Sequence, residues 1–337
     1  MRSQEARSRE ASSRGRVEAA RPDGGPADPG VGYRFAALNA LISGFAVFIN
    51  SQGVRTFDDS TLYTALKNGV VGLAMLLPFV LSGSRRRELS SLDRRQWGLL
   101  VLIALVAGSI SYALDFRGLK MSTAPTASLI YHAQFLWVAV LAAFFLGERF
   151  SRSVWVALGV LAVGLSVGVE FRTVRWDAGV PYLIASTLLT AVGAVLIKVA
   201  LRTVSLPVVV ASKMTLGSAL LFLYLAAGGR LAAVGHLAPL QWAYVLVTGL
   251  ILLAFTLTEV VGLRHASATG VTAISAASPV ITTLLVVVTR GTPLTPVRLM
   301  GLGLVLASVL VVYTLGRRDE RFGQGPFPAP TKEVIAP

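Results

Sequence analysis

From position 33 to position 316 the chain is a succession of apolar blocks about twenty residues long, separated by short polar or basic punctuation. A helix crossing the hydrocarbon core of a bilayer needs about 20 apolar residues. Ten blocks meet that description: 33–53, 60–82, 97–116, 122–146, 153–169, 177–201, 206–228, 239–263, 268–290 and 296–316. Most connections are short; the longest between blocks within a half, 83–96, carries Arg85, Arg86, Arg87, Arg94 and Arg95. The pattern predicts an all-α polytopic membrane protein with ten transmembrane helices.

The blocks repeat. Moving the sequence by 144 positions sets Asp115 on Glu259, Gly118-Leu119-Lys120 on Gly262-Leu263-Arg264, Ala124 on Ala268, Gly147 on Gly291 and Leu158-Gly159 on Leu302-Gly303. A long-period repeat decides the fold before any local motif does. Five blocks lie before Asp177 and five from it onward. An odd number of crossings per repeat puts the halves upside down relative to each other, as in carriers built from inverted repeats. The expected organisation is a basic tail over 1–32, a first five-helix repeat over 33–170, a second over 177–316 and a tail over 317–337.

Composition sharpens this picture. Only 14% of the 337 residues are charged, against about 25% in soluble proteins. The net charge of +14 would suit a nucleic-acid binder, but its placement argues against that. Basic residues flank the apolar blocks, which reports membrane orientation. With the amino terminus inside, 20 of the 31 Lys and Arg fall on the inner side, 8 outside, and Lys67, Lys198 and Lys213 within blocks. Both termini are therefore expected on the cytoplasmic side of the cell membrane. The first 32 residues lack an apolar signal-peptide core, and their Arg, Ser, Gly and Pro content predicts disorder. With no cysteine, disulfides and thiolate metal sites are excluded.

Ala65-Leu66-Lys67 in the second block, the Gly118-Leu119-Lys120 corner, Leu146-Gly147-Glu148-Arg149 after the fourth block and Leu158-Gly159 in the fifth carry a resemblance. Together with the ten-block layout, they resemble the EamA-type branch of the drug/metabolite transporter superfamily. The resemblance runs from about Asn39 to Gly316. It implies export of an amino acid or related metabolite, and it makes a basic residue near Lys67 unsurprising. The second repeat departs from the pattern with Gly291-Thr292-Pro293. Glu148 is accordingly read as an interfacial cap rather than as one of a functional pair.

Charges within a span are costly and usually face protein or a water-filled cavity. Lys67 and Lys213 are repeat mates 146 positions apart, candidates for substrate or ion binding, with snorkelling to an interface as the alternative. Lys198, near the end of its block, fits the snorkelling alternative better. Asp115 and Glu259 are candidates to hold a proton or a substrate ammonium; the alternative is pairing with Arg117 or Arg264. Each lysine is expected to meet its acid, Lys67 with Asp115 and Lys213 with Glu259, as two gates. His132 and Gln134, with Tyr131, form a polar cluster in the fourth block, and Tyr112, Asn39, Asn50 and Asn68 are further candidates for a cavity wall. Pro125 and Ser278-Pro279 should bend their spans. Gly159, Gly164, Gly168, Gly301 and Gly303 suit close helix packing.

No Walker loop, HExxH pair or GxSxG elbow occurs, so no cofactor, metal or ATP-driven chemistry is expected. The expected activity is secondary transport of a small molecule by alternating access, driven by a proton or other ion gradient or by exchange. An importer or exchanger of an organic anion, an intramembrane enzyme and a channel are the rival readings.

Overall fold

The structure is a computed structural model that describes residues 28–122, 124–168, 176–291 and 293–318. Of the tails expected over 1–32 and 317–337, residues 1–27 and 319–337 lie outside the described residues, as does the connection over 169–175; residues 29–32 are instead the opening turn of the first helix, and 317–318 are helical. Among the described residues every regular element is a helix. They comprise α1 (Pro29–Gly53), α2 (Ser60–Leu81), α3 (Arg94–Met121), α4 (Ala124–His132 and Gln134–Phe145) and α5 (Arg152–Gly168). The second half gives α6 (Val180–Ala200), α7 (Leu206–Ala227), α8 (Pro239–His265), α9 (Ala268–Ser275 and Ser278–Arg290) and α10 (Pro296–Gly316). A short helix, Gly83–Ser90, joins α2 to α3.

Eight of these stretches are long and apolar enough to cross a membrane; α4 and α5 are apolar but shorter. Their outer surfaces carry large exposed apolar side chains, Phe144 and Val288 at 82% among them. Such a surface suits lipid rather than water.

Packing follows the repeat. Helix α1 lies along α8 and its repeat mate α6 along α3, while α2 packs on α7 and α5 on α10. The loops close in the same symmetric way. Gly147 and Gly291, mates in the 144-residue register, both hold left-handed backbone, with φ 67° and 64°. A helix ending in that conformation favours glycine because no Cβ clashes there. Both α4 and α9 break near their middles, around Ala133 and Ala276-Ala277. In α9 the break has a covalent cause: Pro279 opens the second half, where its missing N–H costs no helical bond. In α4 the bend expected from Pro125 does not appear at that residue. Pro125 stands in the first turn of Ala124–His132, and the break falls eight residues later, between His132 and Gln134.

The glycines divide as well. A Cβ on Gly164 or Gly301 would run into the facing helix of the α5–α10 pair, whereas Gly159 and Gly303 face open space, so the packing role expected of those two is corrected. The tightest approach that bears on the interior is between α3 and α7. A Cβ on Gly108 would lie 2.2 Å from the Lys213 carbonyl oxygen. Gly108→Ala should therefore separate α3 from α7 and destabilise the bundle by about 1–3 kcal/mol, the usual range for overpacking. Thermal unfolding in detergent is the check; unaltered stability would mean that α3 shifts freely.

Candidate functional site

The bundle has two ends. One, the terminal face, holds the start of α1 and the end of α10, where the Tyr33 and Tyr313 rings meet at 5.9 Å, tilted by 45°. At the opposite face, the Tyr63 hydroxyl of α2 donates to Asn50 Oδ1 of α1 at 2.7 Å and lies 3.0 Å from Thr248 Oγ1 of α8. Between the faces lies a central cavity enclosing about 910 Å³ of atom-free space, its open mouth included. Side chains from α1, α2, α3, α4, α6, α7 and α8 line it, and its charged members are Lys67, Asp115, Lys213 and Glu259.

Two of the four charges are bonded to each other. Lys213 Nζ on α7 donates to Glu259 Oε2 on α8 at 2.9 Å, with the side chains only 4% and 11% exposed. The helices position them: Lys213 is seven residues into α7, and Glu259 six from the end of α8. Because the two helices run in opposite directions, these places sit at one depth near the terminal face. Among the described residues Glu259 takes Lys213 as its ion-pair partner, in place of the alternative Arg264.

The other two charges behave differently. Lys67 does not form an ion pair with Asp115 among the described residues, so the expected first gate contact is absent. Its Nζ instead sits 3.6 Å from the centre of the Phe116 ring, with Tyr63 and Tyr112 at 5.5 and 5.8 Å. Aromatic faces attract a cation, by about 2 kcal/mol or more when water is excluded. Among the described residues its hydrogen-bond acceptor is Asn50 Oδ1 at 3.4 Å, which also takes the Tyr63 hydroxyl. Asp115, one turn before the corner that closes α3, faces the same cavity. Nor does it bind Arg117, which lies over the Tyr182 ring at 4.7 Å. The cavity thus offers one ammonium and one carboxylate among its lining residues, neither in an ion pair among the described residues.

Tyr112 and Tyr131 also line this cavity. His132 points elsewhere: a ring nitrogen lies 3.2 Å from Ser278 Oγ, tying the break in α4 to the break in α9. With Gln134 and Asn39 it borders a second, smaller cavity toward the terminal face. Asn39 Nδ2 donates to the Phe255 carbonyl at 2.8 Å and to Thr258 Oγ1 at 3.0 Å. Asn68 stays outside both cavities and donates to the Gly108 carbonyl at 3.3 Å.

Lys198 and Glu148 form a separate arrangement at the terminal face. Glu148 accepts from the Ala268 and Thr269 N–H groups at 2.6 and 3.1 Å, at the start of α9. Lys198 donates to the carbonyls of Leu263, at 2.7 Å, and Ala266, at the end of α8. A carboxylate on a helix start and an ammonium on a helix end both match the helix dipole. The α8–α9 corner is thus held by two opposite charges from other elements. Burial pushes the Glu148 carboxyl above its usual range, and the Lys198 charge and the backbone N–H groups oppose that.

Sequence reasoning missed Phe116 and Tyr63 as the seat of Lys67, and Ser43 and Phe255 as cavity walls. No local signal marked them, since a phenylalanine in a span looks like lipid contact until its neighbours are known. Glu148 was legible as a cap, but its target 120 residues away was not.

A curated relative is 25% identical over 130 residues, 39% of this chain and 90% of the relative. That Sinorhizobium sp protein is described as "Uncharacterized transporter in cobO 3'region". A solved structure titled "Crystal structure of protein" superposes with a TM-score of 0.68 at 19% identity, covering 88% of this chain and all of that one; it supports the fold alone. The description of the EamA-like transporter family matches twice, over 30–168 and 177–314, so two copies take up most of the chain. With two such copies around a charged interior cavity, the chain belongs to the EamA-like transporter family.

Proposed function

We propose that the protein is a ten-crossing secondary carrier that moves a small zwitterion, of amino-acid type, by alternating access, with export as its working direction. The observation that carries the substrate class is the pair of opposite charges lining one cavity without an ion pair between them, Lys67 and Asp115. An α-amino acid brings a carboxylate for Lys67 and an ammonium for Asp115. The aromatic seat of Lys67 excludes water, so exchanging Asn50 for a substrate carboxylate strengthens the contact. In the rival organic-anion reading the three intramembrane lysines would attract substrate. Lys213 is already bound to Glu259, and Lys198 to backbone carbonyls, which leaves Lys67 balanced by Asp115.

The upside-down arrangement of the halves is supported by packing pairs that exchange under the repeat, α1–α8 with α6–α3. Both ends at one face agree with the basic-residue bias, which favours a cytoplasmic terminal face. The names of the family and of the relative point to transport rather than catalysis.

Binding of single amino acids, measured as thermal stabilisation of the purified protein, tests the substrate class. A ligand amino acid should stabilise the wild type, whereas its N-acetyl and carboxamide derivatives should not. Lys67→Met and Asp115→Asn should each weaken binding at least about tenfold, the effect of losing one charged hydrogen bond of about 1.5–3 kcal/mol. Stabilisation by an N-acetylated or purely anionic compound, retained in Asp115→Asn, would favour the anion reading instead.

A further inference from the structure

The second cavity encloses about 420 Å³ including its mouth and lies between the central cavity and the terminal face. Ser43, Tyr131, Phe255 and Glu259 line both cavities. These four shared residues bring two aromatic rings, two hydroxyls and a carboxylate to the boundary of both spaces. Beyond it, the second cavity is bounded by Asn39, Gln134, Thr272 and their neighbours.

Three polar groups of this second lining present acceptors to it. Both donor bonds of Asn39 go to Phe255 and Thr258, leaving the amide oxygen as the free group. The Thr272 hydroxyl gives its hydrogen to the Ala268 carbonyl, at 2.9 Å, and keeps its lone pairs. Glu259 accepts from Lys213 through one oxygen, while a carboxylate has about four acceptor sites over two oxygens. Gln134, Ser275 and the Tyr131 phenol can both donate and accept, so the sign of the site is set by Glu259, the carboxylate among the lining residues, where no Lys or Arg stands. Lys213 is not among the lining residues of this cavity.

We propose that the second cavity is a further binding subsite, selective for an ammonium group, and that the Ser43–Tyr131–Phe255–Glu259 layer is the closed partition between it and the central cavity. This rests on the carrier reading above. A solute crossing the layer would pass its ammonium from Asp115 to Glu259, where it competes with Lys213 for the same carboxylate. Lys213 on α7 faces Glu259, with the phenols Tyr112 on α3 and Tyr131 on α4 nearby, and Asp115 on α3 lines the same central cavity.

The absence of native cysteine permits a test that needs no identified substrate. Thr272→Cys, and independently Ser275→Cys, report on the second cavity; Ser111→Cys reports on the central one. In reconstituted full-length protein, thiol reagents carrying an ethylammonium or an ethylsulfonate group are applied from each face in turn. Thr272→Cys should react from the terminal face with the cationic reagent at least about tenfold faster than with the anionic one, the low end of electrostatic concentration in a charged cleft. Ethylammonium chloride should protect it, and adding Glu259→Gln should abolish both effects. Ser111→Cys should be silent from the terminal face until Phe255→Ala is added. Equal rates for the two reagents, a preference that survives Glu259→Gln, or Ser111→Cys reacting from the terminal face with Phe255 intact would each overturn the proposal. Unreactive cysteines at both 272 and 275 in folded protein would do the same. The zwitterion reading is tested separately by amino-acid binding, so either can fail while the other stands.

Discussion

Glu259→Gln and Lys213→Met should each cost about 3–5 kcal/mol of stability, because either change leaves a buried charge without its partner. The ion pair is short and hidden, 2.9 Å with both side chains nearly sequestered, so solvent does little to screen the loss. The double variant, Lys213→Met with Glu259→Gln, should recover most of the deficit, since it buries no lone charge. Unfolding of the four proteins in one detergent gives the coupling as a double-mutant cycle. Additive losses would mean that the two side chains act independently and that the bridge is incidental. The parallel cycle with Lys67→Met and Asp115→Asn should show weaker coupling, since no direct ion pair joins them.

Glu148→Ala should destabilise the protein by about 3 kcal/mol or more. It removes two hydrogen bonds to a charged acceptor, each worth about 1.5–3 kcal/mol, and leaves the Ala268 and Thr269 N–H groups buried. Glu148→Gln keeps an acceptor oxygen without the charge and should lose less. The α8–α9 corner should loosen in both, so backbone amide exchange around Ala268 should quicken before the rest of the bundle is affected. Unchanged exchange at that corner, with global stability intact, would show that Glu148 merely fills space.

The parts of this design that were legible in the sequence are those written in period and repeat. Apolar blocks of bilayer length gave the helical class, and the 144-residue register paired Gly147 with Gly291 before their shared left-handed backbone was known. That register also located Asp115 and Glu259, and the rarity of lysine drew attention to Lys67 and Lys213. Pairing was another matter. The same repeat logic proposed two equal lysine–acid contacts, and only Lys213 with Glu259 is made. The difference arises from residues that break the symmetry: Phe116, Tyr63 and Asn50 hold Lys67, and no sequence offset encodes three helices converging on one ammonium. His132 shows the same limit. It reads as a mid-membrane candidate, yet it ties two helix breaks through Ser278, a contact made across 146 residues.

The central claim, a carrier for a small zwitterion working through the charged cavity, is tested most directly by counterflow in proteoliposomes. Vesicles are loaded with an excess of the unlabelled amino acid that gives the largest thermal stabilisation and diluted into a trace of the labelled one. The account predicts transient accumulation of label inside, saturable and stimulated by the internal pool, lost in Lys67→Met and in Asp115→Asn, and not produced by loading the N-acetyl or carboxamide derivative. Label entry that is non-saturable, indifferent to the internal amino acid and unaffected by either substitution would contradict it.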